Sequence, residues 1–216
     1  MSTVKIIRRD TKIQGRGRPK DPDKRAAILA SAKQLFARHG YSGISMDAIA
    51  HDAGVSKLTL YSHFSGKESL FQTAVAEKCQ DYTPPDFFDT DSPLPLRERL
   101  RTIGNGFMAL LMSDEAMEFY RMLVAQGGGG SHLGKLFFAA GPARNLAQLS
   151  RLLDHACTAG ELRIGNTRSA AGHFFSLLQG VPHLRALIGE TANIPARQLR
   201  AHVDEAVELF LRAYAP

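Results

Sequence analysis

One short run, Ser56-Lys57-Leu58-Thr59-Leu60-Tyr61-Ser62-His63, gathers the side chains best suited to chemistry. No nucleophile–base pair, phosphate-cradling glycine loop or metal-ligand spacing accompanies it, so neither catalysis, a cofactor nor a metal is expected. Those side chains are suited to binding. Short polar groups on a helix reach base edges in a major groove about 12 Å wide. Lys57 and Thr59 can hydrogen-bond bases or phosphates, and Leu58 can meet a thymine methyl. Tyr61, His63 and Lys67 suit phosphate oxygens. Taken alone, Thr59 and Ser62 read better as ordinary exposed polar residues, and it is the surrounding motif that favours contact. Tyr61 is expected to pack its ring and turn its hydroxyl outward, and Phe64 is expected in the core.

That run needs a frame, and the flanking residues supply one. Asp21 is a good N-cap and Pro22 suits a first helical position. Ile28, Leu29, Ala32, Leu35 and Phe36 then recur at helical spacing, and Gly40 closes that helix. A second helix starts at Ser45, which can cap it and also bond a phosphate. Met46, Ile49 and Ala50 face inward from it. Ala53-Gly54-Val55 turns the chain, and Ser56 caps the helix that carries the candidate contacts. Helix, tight glycine turn and helix is the geometry that lays a recognition helix in a groove. Ser65 to Glu68 has the spacing of a capping box for a fourth helix.

Charge is uneven along the chain. The net charge is +6, but residues 1–80 hold 14 Lys and Arg against 7 Asp and Glu, while the remainder holds 13 against 14. The excess includes Arg16, Arg18 and Lys20 in a basic, glycine-bearing arm, residues 1–20, suited to a DNA backbone or minor groove. A basic tail that merely aids solubility explains the same excess. Cys79 and Cys157 form no disulfide framework, which fits a reducing cytoplasm; an inert thiol and a redox sensor both remain open. No apolar run reaches the length of a membrane span and no secretory signal opens the chain.

Thr83-Pro84-Pro85 and four acids, Asp81, Asp86, Asp89 and Asp91, mark a boundary. An all-α chain is expected, with a helix-turn-helix unit over 21–82 and a helical bundle over 95–216. Helices are expected over about 95–112, 114–126, 132–140, 142–159, 167–188 and 195–214, with Pro182 kinking or splitting its segment. Gly127 to Ser131 must be a loop, and it also matches a common engineered linker. His155, His173 and His183 lack metal-ligand spacing and read as satisfied polar residues.

The runs LFARHGY, IA-x-x-AGVSK-x-TLY-x-HF and K-E-x-L-F, within Asp23 to Lys78, closely resemble the DNA-binding domain of TetR-family repressors. GRPK before them resembles that family's basic lead-in. Leu58 stands where many relatives carry glycine, a departure that bears on base preference. LFFAAGPARNLAQL from Leu136 resembles the AefR-like C-terminal subgroup. The resemblance implies a homodimer, a palindromic operator in double-stranded DNA, and release of that DNA when a small apolar or aromatic effector binds. It places an effector cavity between helices of 95–185, with Phe107, Met108, Leu111, Phe119, Met122, Phe138, Phe174 and Phe175 as candidate lining. Such stripes are also what plain core looks like. It further implies a dimer interface on the last two long helices, with Leu177, Val181, Val203, Val207 and Phe210 as candidates. A constitutive DNA binder, a protein-interaction adaptor and an enzyme built on a bundle are the rival readings.

Overall fold

The computed structural model describes residues 21–126, 132–190 and 194–216, and every regular element among them is helical. The expected arm with Arg16, Arg18 and Lys20 lies outside the described residues, as does the loop Gly127–Ser131.

Local chemistry sets the N-terminal boundaries. α1 (Pro22–His39) begins where the Asp21 carboxylate accepts from the Asp23 N–H at 3.1 Å. α2 (Met46–Asp52) begins where Ser45 Oγ accepts from the Ala48 N–H at 3.1 Å. α3 (Lys57–His63) follows a turn through Gly54, whose φ of 64° is a left-handed backbone that glycine adopts freely. α4 (Lys67–Tyr82) departs from expectation at its start. The Ser65–Glu68 capping box does not form; Gly66 takes the cap position without a side-chain bond. The Glu68 carboxylate instead meets His132 Nε2 at 2.8 Å, so a tertiary partner wins over the local one.

The linker beyond α4 includes a short 3-10 turn, Pro85–Phe88. The buried Arg99 guanidinium donates to the Asp89 carbonyl and holds the linker against α5 (Leu96–Leu111). The chain continues through α6 (Asp114–Gln126), α7 (His132–Ala140), α8 (Pro142–Thr158), α9 (Thr167–Leu187) and α10 (Ala196–Ala213). α9 does kink, but at Gly180, where φ is 40°. In an unbroken helix the Leu178 carbonyl would accept from the amide four residues on, and Pro182 has none. The His202 Nε2–H of α10 donates to that carbonyl at 2.8 Å instead. No helix among the described residues is long and apolar enough to cross a membrane.

Two apolar cores result. One joins α1–α4 and runs on into α6 and α7 through Phe119, Met122, Leu123, Leu133 and Phe137. The other fills the space among α5, α8, α9 and α10. The second corrects the expected dimer contacts. Val203, Val207 and Phe210 are at most 1% exposed and pack inside their own subunit, so they have no surface to offer a partner. Leu177 is half-buried against the same core. Val181 alone of the five stands clear, at 64% exposure.

Candidate nucleic-acid interface and the cavity behind it

α3 has two faces. Leu60 is fully buried and Phe64, just past the helix end, nearly so; both anchor α3 on the N-terminal core. One turn around, Lys57, Leu58, Tyr61 and Ser62 are exposed and Thr59 is half-buried. Leu58 is 82% exposed, an apolar side chain in full contact with water. The expected contact face is therefore displayed, with Phe64 in the core and Tyr61 on the surface as the residue types require.

Several of its groups already have partners. Ser56 Oγ accepts from the Thr59 N–H at 3.1 Å and lies 2.8 Å from Thr59 Oγ1, so it fixes the first turn of α3. Lys57 Nζ is 2.9 Å from the Asp47 carboxylate, a hydrogen-bonded pair that raises the lysine pKa and joins α3 to α2. Lys67 Nζ sits 4.5 Å from the Tyr41 ring centroid; burial lowers its pKa. His63 is half-buried, with an enclosed Nδ1 that has no partner. Sequence reasoning missed Asp47, Tyr41 and Arg25. Arg25 pairs with Glu77 at 3.1 Å and stacks 5.5 Å from Phe64, bracing α1 against α4 and the end of α3. These roles depend on pairings across elements, and no local spacing announces them.

Behind this unit lies a cavity of about 810 Å³. Phe107, Leu111, Phe119, Phe138 and Phe175 line it, as expected of a cavity among the C-terminal helices. Met108 and Phe174 do not: they are buried in the C-terminal core. Met122 does not either, since it packs against the N-terminal core. The cavity also reaches further than expected. Ala30, Lys33, Gln34 and Ala37 of α1 and Val75, Lys78 and Cys79 of α4 are in its wall, so both units enclose it. Aromatic rings dominate, with Phe107 and Phe175 centroids 4.6 Å apart and Phe119 within 5.6 Å of both Phe71 and Phe137. Buried Asn145 and the glycine at 172 belong to the wall too. No sequence signal singled out Asn145, which stands between Arg144 and Leu146 with Gln148 three residues on.

The last turn of α4 rests on two glycines of the C-terminal domain. A Cβ at Gly141 would lie 2.8 Å from Cys79 Sγ, and a Cβ at Gly106 would run into the Tyr82 carbonyl. Burial pushes the Cys79 thiol up to about 11, which keeps it protonated near neutral pH and poorly nucleophilic. Lys78 pairs with Glu115 across the same joint. Of the histidines, His173 Nδ1 is 2.6 Å from Tyr214 Oη. His183 is buried edge-on to the Tyr120 ring at 5.4 Å, and its Nε2 has no partner, against the expectation of a satisfied histidine. Burial lowers its pKa.

Residues 28–74 match the family described as bacterial regulatory proteins of the tetR family. Residues 98–216 match the AefR-like transcriptional repressor C-terminal domain. The chain is 27% identical to the HTH-type transcriptional regulator SrpR of Pseudomonas putida over 162 residues, 73% of this chain and 72% of that one. It is 30% identical over 110 residues to the transcriptional activator FasR of Mycolicibacterium smegmatis, covering 51% of this chain and 49% of that one. A solved structure assigned to TetR-family regulators from Mesorhizobium loti superposes with a TM-score of 0.74 at 27% identity, covering 92% of this chain and all of that one. The Flavonoid-responsive Regulator FrrA gives 0.69 at 29% identity, covering 91% and 99%.

Proposed function

The chain belongs to the TetR family of transcriptional regulators, which bind DNA and are not enzymes, and from that premise we propose that it is a repressor released from its operator by a small molecule. One observation carries this reading: the cavity is walled jointly by helices α1 and α4 of the DNA-binding unit and by α5–α9 of the C-terminal domain. A molecule held there touches both units at once. Any preference it has for one relative placement of the two shifts the population of DNA-competent conformers. Such couplings are typically about 1–3 kcal/mol and are reciprocal, so operator DNA weakens effector binding by the same factor. FrrA, by its name, responds to flavonoids, which supports an aromatic effector here.

On DNA, Lys57, Leu58 and Thr59 meet the major groove, with Ser45, Ser56, Tyr61, His63 and Lys67 toward phosphates. Arg16, Arg18 and Lys20 follow the adjacent backbone or minor groove. A homodimer sets two such helices about 34 Å apart, matching the half-sites of a palindrome. Val181 and Leu184 of α9 and Ile188 at its C-cap are 55–69% exposed, so they replace the buried α10 residues as the surface a second subunit covers. The test is to select a duplex from a random pool and measure its affinity as salt and small molecules are varied. Affinity should fall steeply with salt, by a log–log slope of about −0.9 per phosphate contacted. Unchanged operator affinity across a broad panel of molecules that do bind the protein would reduce it to a constitutive regulator.

A further inference from the structure

The charge pattern of the cavity wall narrows the effector further than the family does. Lys33, Lys78, Asp81 and Glu115 are the wall residues with full charges, and each already has an opposite partner. Lys33 Nζ lies 3.4 Å from Glu77 and 3.3 Å from Asp81, and Lys78 pairs with Glu115. These pairs are partly exposed. Elsewhere in the wall, Phe71, Phe107, Phe119, Tyr120, Phe137 and Phe175 supply rings, and buried Asn145 supplies a neutral amide. Burial also raises the pKa of both the Cys79 thiol and the Tyr120 phenol, which keeps them uncharged.

We propose that this cavity selects uncharged, flat aromatic molecules and rejects carboxylates and cations of the same shape. The inference rests on reading the cavity as the effector site. Its volume of about 810 Å³ suits a multi-ring molecule. Among the described wall residues a carboxylate finds no unpaired cation and an ammonium no unpaired acid; Arg144, close enough to Cys79 to act on its thiol, is exposed outside that wall. Either must stay desolvated without compensation or break one of the existing pairs, and both are unfavourable. A neutral ring system stacks on the phenylalanines and can offer one hydroxyl or carbonyl to the Asn145 amide.

Gly172 of α9 makes the idea testable. It belongs to the wall, and a Cβ built there meets nothing within 4 Å, so a larger side chain enters empty space. The full-length protein is titrated with 9-phenanthrol, phenanthrene-9-carboxylate and 9-phenanthryl-trimethylammonium, following ligand fluorescence. 9-Phenanthrol is expected to bind roughly tenfold or more tighter than either charged analogue. Gly172→Leu is expected to abolish that binding while leaving the thermal unfolding transition and helical circular dichroism in place. Equal or tighter binding of the carboxylate or the ammonium overturns the proposal, as does no binding by any of the three. Binding indifferent to Gly172→Leu places the ligand elsewhere and overturns it too. The effector reading fails separately: 9-phenanthrol then binds in a Gly172-dependent manner, yet affinity for the selected duplex stays the same.

Discussion

α3 and α9 show how differently the two halves of this chain use a helix. α3 has seven residues, too few to hold in water alone. It is held by the Ser56 cap, the Lys57–Asp47 pair and two anchors, Leu60 and Phe64, sunk in a filled core. α9 has 21 residues and could afford imperfection. It breaks at Gly180, borrows a donor from His202 and borders empty space at Gly172. The short helix is fixed by its cap, its ion pair and its two anchors, and it leaves Lys57, Leu58 and Tyr61 displayed. The long helix stands beside unfilled volume, where a ligand can be taken up and a packing changed. Between them α4 rests its last turn on Gly106 and Gly141, so the two halves are in close contact there.

The contrast can be broken by mutation, beginning where the effect is largest. Leu60→Ala empties a site that is 0% exposed and should destabilise the protein by about 2–5 kcal/mol in urea denaturation. Leu146→Ala, in the cavity wall, should cost clearly less, because its surroundings are already part empty. Equal losses would mean that the two interiors are packed alike. Gly106→Ala pushes a methyl at the Tyr82 carbonyl and should cost about 1–3 kcal/mol. It should also weaken the effect of ligand on DNA affinity; full coupling in this variant would remove α4 and its seat from the route. Ser45→Ala deletes the α2 cap and should cost about 1 kcal/mol, with a loss of affinity that is similar for all duplex sequences. Gly172→Ala has the opposite sign. A helix gains about 0.5–1 kcal/mol from alanine over glycine, and here the added methyl meets no neighbour. A lower melting temperature in this variant would show that the space beside α9 is not open.

Residues 21–82 were legible because their structure is local. Asp21, Ser45, Ser56 and the left-handed Gly54 each act within a few residues, so type and spacing are enough to place α1, α2 and α3. The all-helical C-terminal domain and its breaks were readable for the same reason. What failed involved competition between near and far partners. Glu68 left its capping box for His132. The kink expected of Pro182 does form, and its sharpest point is Gly180, two residues earlier, where φ is 40°. Apolar periodicity told which faces of α5, α9 and α10 were buried without telling against what. Met108, Phe174, Val203 and Phe210 therefore read as pocket or interface when they are core.

From the sequence by itself came the helical class, the helix-turn-helix with its exposed Lys57-to-His63 face, and the chemistry of binding in place of catalysis. These follow from hydrogen bonds and periodicities that act over a few residues. Tertiary structure alone decided that the cavity belongs to both domains, that its charges cancel in pairs, and which apolar side chains stay exposed. Each of those depends on which surfaces meet. A pattern of apolar residues records that a face is buried, but only three-dimensional packing names its neighbour.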